Sequence, residues 1–458
     1  MYFTSINKVS AVKMAVTILA PLLICLLPTN ELFTVQIQLF LAITLAAILA
    51  YAFEQFNQTL VSILLPIAYT LFKVTDVTVA FSSWSNNVVW MTLGGLMLAD
   101  MANKSGFLQR LALKCIILTG GTYRGIIWGL AIAGLILSVL LAGQGYIPMA
   151  ALAFGICTAL GINKTKEAAG IMLAAVFSGV LASAFVFNTG PVMYASFAGL
   201  SMNLSWIEYF LKQPVGVIYF VAMFVILERL CRPKEALDGK AYFQEEYKKL
   251  GKITINEIKA VIICLLLLVF LLTTNIHGIS VMWGFALFPL LAYLPGVGFC
   301  DAEDMRKTNF GMAFFVAACM SIGSVGTSLG IGQLVSSIAM PLIEGKSVSV
   351  VFFVIYILCI LLNFLMTPLA IAAAFSLPFS QIVMSMGVNP DAFFLFETIA
   401  IDQIFLPYEY VVYLVVFSFG AMRMNDFIKL MSIKALVATI YIFFILLPFW
   451  KVIGFLMM

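Results

Sequence analysis

Apolar residues form long stretches along almost the whole chain, and short polar segments separate them. Stretches of this kind cover residues 11–28, 35–53, 124–142 and 167–187, and others continue to residues 430–455. Because a helix needs about 20 apolar residues to cross a bilayer, the pattern predicts about eleven full spans and two re-entrant hairpins. Lipid cannot satisfy backbone polar groups, so the spans must be helical. The expected fold class is an all-α multi-pass membrane protein.

One long polar segment, residues 228–259, interrupts this pattern and is rich in lysine and arginine. The positive-inside rule places such a segment on the cytoplasmic side. Near the start of the chain, Lys8 and Lys13 precede an apolar run without a small-residue cleavage site, so we expect an uncleaved first helix. The predicted organisation is N-terminal scaffold helices at 1–85, a first repeat at 86–227, the connector at 228–259, scaffold helices at 260–307, a second repeat at 308–429 and a last helix at 430–458.

The two halves on either side of the connector resemble each other. Aligning Ser105 with Ser328 gives an offset of 223 residues (328 − 105), and aligning Gln144 with Thr367 gives the same offset (367 − 144). Two independent landmarks at one offset support an internal repeat. Interrupted apolar segments at corresponding places in two halves indicate a transporter binding site at the interface between the repeats.

The first pair of interruptions has the form of two hairpin tips. Gly143 and Gln144 interrupt the run LLAGQGYIP, and Asn363, Thr367 and Pro368 interrupt the run NFLMTPLA. Proline suits the first position of a helix, and the free N–H groups there favour an anionic ligand. The alternative is an ordinary proline kink in which the threonine bonds to its own helix.

A second pair of interruptions follows, one after each tip. Asn188 and Thr189 stand in the sequence NTGP, and Pro407, Tyr408 and Glu409 stand in the sequence LPYEY. Unwound helices at such places offer amide, hydroxyl and carbonyl groups that hold a carboxylate or a hard cation within a membrane.

Carboxylates within apolar runs are costly, so each is a candidate functional group. For Asp100 we expect a structural pairing with Lys104, four residues later on the same helix. Glu397 and Asp402 are expected near a helix end, where they would be solvated. Glu409 directly follows a break and is the best candidate for a proton-titrating or ligand-contacting carboxylate.

Basic residues are scarce inside the apolar runs. Lys104, Arg110 and Lys114 lie on a short amphipathic piece that we expect at the membrane interface. Lys164 and Lys166 are expected in a solvated loop. No arginine clamp for a dianion is therefore predicted, and an anion would be held by amides, hydroxyls and helix N-termini.

Composition excludes several classes of protein. Of the 458 residues, 63% are hydrophobic and 10% are charged, unlike a soluble enzyme, and the net charge of +4 gives no basic face for nucleic acid. The only histidine is His277, and none of the eight cysteines forms a CxxC motif. Zinc chemistry and a Ser–His–Asp triad are therefore not expected, and we predict that the protein is not an enzyme.

These residues resemble the divalent anion:sodium symporter family of the ion transporter superfamily. The likeness is carried by WMTLGGLMLADMANKSGFLQRLALKCI at residues 90–116, by LSVLLAGQGYIPMAALAFG at residues 137–155, and by the segment at 363–450. The resemblance implies two inverted repeats, a homodimer and an elevator-type movement of a substrate domain against a scaffold. It also implies sodium or proton as a coupling ion, with no other cofactor.

The resemblance implies substrate-binding positions at the tips and broken helices: Gly143, Gln144, Asn188, Thr189, Thr367, Pro368, Pro407, Tyr408 and Glu409. Asn188 and Thr367 are the candidate sodium ligands. The chain departs from the family at both tips, where Ala142-Gly143-Gln144 and Met366-Thr367-Pro368 replace Ser-Asn-Thr motifs. These departures leave sodium coupling, proton coupling and exchange open.

Three functions are considered. The first is secondary active transport of small organic anions, of the di- or tricarboxylate class, across a cell (inner) membrane. The second keeps the fold but carries a zwitterionic, neutral or cationic solute, with Glu409 as counter-charge or proton carrier. The third, a channel or an intramembrane enzyme, is disfavoured because the sequence has no filter-like repeat, HExxH or GxSxG motif. The expected partners are a small-molecule solute, the lipid bilayer and a second copy of the chain.

Overall fold

The structure is a computed structural model that describes residues 8–53, 56–141, 146–202, 204–234, 239–364 and 367–458. Nearly all regular structure in these ranges is helical, and Val388 and Met457 form an isolated bridge. The helices before the connector are α1 (Lys8–Ile24), α2 (Val35–Ala52), α3 (Gln58–Leu71), α4 (Val77–Ala80), α5 (Asn87–Ser105), α6 (Phe107–Leu118), α7 (Tyr123–Leu141), α8 (Tyr146–Ala159), α9 (Lys166–Val180), α10 (Thr189–Phe197), α11 (Trp206–Lys212) and α12 (Gly216–Leu230).

The connector contributes one short polar helix, and the second half of the chain follows it. The remaining helices are α13 (Lys240–Lys249), α14 (Ile255–Leu272), α15 (Thr274–His277), α16 (Val281–Leu287), α17 (Ala302–Lys307), α18 (Phe310–Ser328), α19 (Ile331–Ile343), α20 (Val348–Asn363), α21 (Pro368–Ser385), α22 (Pro390–Ala400), α23 (Val411–Ser418), α24 (Met424–Ile440) and α25 (Leu447–Val452). A π-helical turn joins α24 to α25 without a break. The multi-pass helical class predicted from the apolar pattern is confirmed.

Six helical segments in the described ranges are long and apolar enough to cross a membrane. They are Tyr123–Leu141, Lys166–Ala184, Ile255–Leu272, Phe310–Ser328, Pro368–Ser385 and Met424–Val452. A seventh span results if α11 and α12, which meet at a 70° bend, are counted together. Several shorter apolar helices accompany them. The number of about eleven spans stays a prediction.

The bounds of the helices recur at the offset that the sequence landmarks gave. Adding 223 to the bounds of α5, Asn87–Ser105, gives those of α18, Phe310–Ser328. The same shift brings the pair α7 and α8 onto α20 and α21, and the pair α9 and α10 onto α22 and α23, within a few residues. The same order of elements therefore occurs on both sides of the connector.

Two glycines allow helices to cross at close range. A Cβ on Gly134 of α7 would lie 1.8 Å from Oγ of Ser178 on α9, and a Cβ on Gly323 of α18 would lie 2.0 Å from the Phe197 carbonyl oxygen. Because real Cβ atoms essentially never approach so closely, only glycine fits at both crossings. These contacts seat α9 and α10 deep in the molecule.

The interfacial position of Arg110 stays a prediction, but its side chain contacts protein rather than solvent. Its side chain is buried, and Nε donates to Oε2 of Glu257 at 2.8 Å. Its other nitrogens donate to the carbonyls of Leu250, Gly251 and Lys252 at the end of the connector. Arg110 therefore joins α6 to the start of α14, because a buried guanidinium needs a full set of acceptors.

The predicted pairing of Asp100 with Lys104 is wrong. Lys104 binds Asp304 of α17, and Asp100 instead accepts a hydrogen bond from the Thr308 hydroxyl at 2.8 Å. The hydrogen bond from Lys104 lowers the pKa of the Asp304 carboxyl from its usual value. Packing of α17 against the end of α5 thus takes precedence over pairing within one helix.

The other lysines lie closer to their predicted surroundings. Lys114 is exposed, with Nζ 5.5 Å from the centre of the Tyr247 ring. Lys164 is exposed in the turn before α9, whereas Lys166 is half-buried as the first residue of that helix.

Candidate functional site

The first broken helix is interrupted just before Asn188. Helix α9 ends in a 3₁₀ turn at Leu181–Ala184, and the chain then runs without regular structure until α10 begins at Thr189. Oδ1 of Asn188 accepts a hydrogen bond from the Gly190 N–H at 2.6 Å, which caps α10. The unwound segment therefore lies before NTGP rather than within it, and Thr189 and Pro191 belong to the first turn of the helix.

The second broken helix is interrupted between Ala400 and Val411. Pro407 is buried and starts a 3₁₀ turn, and Tyr408 is exposed. Glu409 is buried, with 1% of its surface exposed, and its Oε1 accepts from the Leu406 N–H at 2.9 Å. Its Oε2 accepts from the Phe405 N–H at 3.0 Å. Both carboxylate oxygens therefore hold the unwound loop together, because the N–H groups in this loop lack helical partners.

The carbonyl groups of the same break are also occupied. Nδ2 of Asn363, at the end of α20, donates to the carbonyls of Ile401 and Gln403 at 3.0 and 3.2 Å. Nζ of Lys434, on α24, donates to the Asp402 carbonyl and, at 2.6 Å, to Asp402 Oδ2. Three consecutive carbonyls that no helix satisfies are thus bound by two side chains from other helices.

The expectation that Glu397 and Asp402 are solvated is wrong. Glu397 is fully buried, and its Oε1 accepts a hydrogen bond from the Ser376 hydroxyl at 2.8 Å. The side chain of Asp402 is 18% exposed and forms an ion pair with Lys434. The end of α22 packs against α20 and α21, and Lys434 of α24 pairs with Asp402, so both carboxylates have protein partners.

Sequence reasoning missed Lys434 and Ser376. A signal for Lys434 existed, because it is one of only two lysines between Asp426 and Trp450 in an otherwise apolar run. A lone charge in such a run normally pairs with a partner inside the protein. Ser376 gave no comparable signal, since serine is common in membrane helices and bonds to its own backbone.

The two hairpin tips are described to different extents. Gly143 and Gln144 lie outside the described residues, between α7 and α8. At the second tip, Thr367 Oγ1 accepts from the Ala370 N–H at 3.4 Å, and Pro368 is the first residue of α21. The prediction that Pro368 starts a helix is confirmed. Thr367 caps this helix rather than bonding back to a preceding turn.

Elements from both repeats meet around α10. This helix, which Thr189 begins, packs against α21, which Pro368 begins, and against α22 of the second broken helix. Asn188 and Thr367 each cap one first-turn N–H of these helices, and the positive end of a helix dipole lies at each start. In the described ranges no three His, Cys, Asp or Glu side chains form a metal-binding group. The arrangement favours reversible binding of an anion.

A family profile described as "Sodium:sulfate symporter transmembrane region" matches residues 8–456, nearly the whole chain. The chain belongs to the divalent anion:sodium symporter family. No curated protein sequence matches. The crystal structure of the YdaH transporter of Alcanivorax borkumensis is similar in fold, with a TM-score of 0.54 and 15% sequence identity. The match covers 82% of this chain and 86% of that one.

The family and the fold together establish a multi-pass membrane protein that acts as a secondary transporter and not as an enzyme. Thr367 and Pro368 stand where the family's second Ser-Asn-Thr motif is expected. Asn363 and Lys434 bind the carbonyls of the second broken helix.

Proposed function

We propose that this protein carries small organic anions of the di- or tricarboxylate class across the cell (inner) membrane. The observation that carries the proposal is the packing of α10 against α21, which brings together helices that start at a break in one repeat and at a hairpin tip in the other. Anionic groups are stabilised at helix N-termini without any cationic side chain. Asn188, Thr189, Thr367 and Pro368 form these two starts, and Gly143 and Gln144 of the first tip complete the proposed site.

We further propose that transport proceeds by an elevator-type movement of the site-bearing domain in a homodimer. The recurrence of the same helix order at an offset of 223 residues supports a scaffold and a moving domain that are each built from both halves. The site must bind substrate well enough to load and weakly enough to release, so the inward and outward states differ in affinity. Sodium, a proton or a counter-substrate drives the cycle.

The rival solute class, zwitterionic, neutral or cationic, requires Glu409 as a free counter-charge. Both oxygens of this carboxylate accept backbone N–H groups, and the side chain is buried. A carboxylate has about four acceptor positions, and burial of Glu409 rather than these two hydrogen bonds keeps the remaining ones from a solute in this structure. The geometry therefore favours an anionic substrate.

The decisive experiment is uptake by purified protein in liposomes. Radiolabelled succinate, citrate and sulfate are offered in sodium, in potassium, under a proton gradient alone, and to liposomes preloaded with unlabelled substrate. We expect saturable uptake of a di- or tricarboxylate in at least one condition. We also expect its loss in Thr189→Pro, which removes the Thr189 N–H and hydroxyl while proline at the first position keeps α10 helical. Uptake of sulfate alone would show that the substrates are inorganic dianions rather than organic acids. Uptake of none, with stabilisation by zwitterionic or cationic metabolites, would contradict the proposal.

A further inference from the structure

The unwound segment at residues 401–403 has the donor set of a cation site. Asn363 Nδ2 binds the carbonyls of Ile401 and Gln403, which leaves the carbonyl and carboxylate of Asp402 facing Lys434. Oxygens of these two kinds coordinate hard cations in broken membrane helices. Oδ1 of Asn363, a residue 1% exposed, accepts no hydrogen bond from the described residues and adds an oxygen at the same break. A nearby positive charge stabilises the ionised form of this carboxylate, of which only 18% is exposed.

The cation at this break is supplied by the chain itself. Lys434 reaches it from α24, is 0% exposed, and directs its ammonium group at both the carbonyl and Oδ2 of Asp402. A contact with α20 fixes α24 at this point: the Tyr356 hydroxyl of α20 donates to the carbonyl of Ala435, the residue after Lys434, at 3.1 Å. The ammonium of Lys434 therefore supplies both a positive charge and hydrogen-bond donors to the carboxylate and carbonyl of Asp402.

We propose that Lys434 is a tethered cation that fills the cation position of the second broken helix. This position then binds no free sodium, and removal of the ammonium creates a sodium site there. One consequence of the proposal concerns transport and rests on the proposed function: the second broken helix contributes no sodium ion to coupled transport. Its local claim, competition between an ammonium and a free cation, stands on the contacts of Lys434 and Asp402.

The test measures thermal unfolding of the full-length protein in detergent, without substrate, in sodium, potassium or choline chloride at equal ionic strength. Lys434→Met nearly keeps the side-chain length and removes the charge. We expect sodium to raise its unfolding temperature above that in choline by several degrees more than in the wild type, with saturation. The matched control is Asp402→Asn with Lys434→Met, in which no carboxylate is left to attract a cation, and it should show no such increment.

Equal sodium increments in the wild type and in Lys434→Met would overturn the proposal. So would a Lys434→Met protein that fails to fold even in sodium, because a free cation then cannot replace the ammonium. A sodium increment that persists in the double variant would place the binding elsewhere and would also overturn it. None of these readouts needs a substrate, so their outcome is independent of whether liposome uptake of dicarboxylates succeeds.

If both the local claim and the proposed function hold, Lys434→Met also changes transport. Uptake by this variant should become more dependent on external sodium than uptake by the wild type, measured as the ratio of initial rates in sodium and choline. The ratio of rates could stay unchanged although sodium clearly raises the unfolding temperature of the variant. The new sodium site would then form without taking part in transport, which overturns the consequence for transport.

Discussion

Glu409 is a buried carboxylate whose two oxygens stabilise the loop that carries it. Glu409→Gln leaves one side-chain oxygen where the loop uses two, so either the Phe405 or the Leu406 N–H loses its acceptor. An unpaired buried N–H costs about 1–3 kcal/mol. We expect the free energy of unfolding to fall by about that amount, measured by thermal unfolding, while the preference for anionic substrates stays unchanged.

The control for this prediction is Tyr408→Phe, which changes the exposed neighbour and leaves the loop bonds intact. A Glu409→Gln protein of unchanged stability whose substrate preference shifts away from cations or zwitterions would instead establish Glu409 as a counter-charge. The pH profile of uptake distinguishes a proton carrier in the same variant, because glutamine cannot titrate.

Arg110 and Glu257 form a buried ion pair that joins α6 to the start of α14. Arg110→Met removes the charge that compensates Glu257 and leaves three backbone carbonyls without a donor. Breaking a buried pair by removing one partner costs about 3–5 kcal/mol. Adding Glu257→Gln should recover some of this loss, since glutamine keeps the capping box with Thr254. A single variant as stable as the wild type would contradict the prediction.

At the residue scale, sequence reasoning succeeded where the cause is local. Pro368 was placed at a helix start because its missing N–H and fixed φ depend only on its neighbours. It failed for Lys104, whose partner Asp304 is 200 residues away, and for Asp402, whose partner Lys434 lies on another helix. Partners of charged groups depend on tertiary packing, which no spacing rule contains.

Helices α10 and α18 cross at a point where nothing larger than hydrogen fits. Gly323→Ala would place a Cβ 2.0 Å from the Phe197 carbonyl oxygen, and backbone cannot move aside as a flexible side chain can. Overpacking of this kind costs typically about 1–3 kcal/mol. Because α10 carries Thr189, we expect Gly323→Ala to lower both the unfolding temperature and the uptake rate.

Gly95→Ala is the matched control for this crossing. Gly95 is buried on α5, the helix that corresponds to α18, but a Cβ there would meet no atom within 4 Å. Alanine is favoured over glycine inside helices by about 0.5–1 kcal/mol, so this variant should be as stable as the wild type or more so. Equal losses in both variants would show that the crossing of α10 and α18 is not the cause.

At the element scale, the sequence predicted the positions of the breaks within a few residues, because glycine, proline and polar groups interrupt an apolar helix visibly. It placed the first break at NTGP, whereas Asn188 proves to be the cap that ends it. Local patterns show that a helix is interrupted, but hydrogen bonds in the folded chain decide on which side of the cap the unwound segment lies.

The whole molecule poses the question of how its two repeats are oriented. Phe56 and Ile279 are both exposed, and they differ by the repeat offset of 223 (279 − 56), so they occupy corresponding turns. Helix α14 starts beside the connector, which the positive-inside rule predicts to be cytoplasmic, and has 18 residues. At 1.5 Å per residue it is about 27 Å long, so we expect Ile279 on the outer side. Inverted repeats then require Phe56 on the cytoplasmic side.

We expect a membrane-impermeant maleimide to label Ile279→Cys in intact cells and Phe56→Cys only in inverted vesicles. The background carries replacements of Cys25, which is exposed, and Cys300, which is partly exposed. Lys248→Cys in the polar helix α13 serves as the cytoplasmic marker. Labelling of Phe56→Cys and Ile279→Cys from the same side would mean parallel repeats. The proposed elevator-type movement needs inverted repeats. With inverted repeats, the outward-facing and inward-facing positions of the moving domain use equivalent packing contacts, one from each half of the chain.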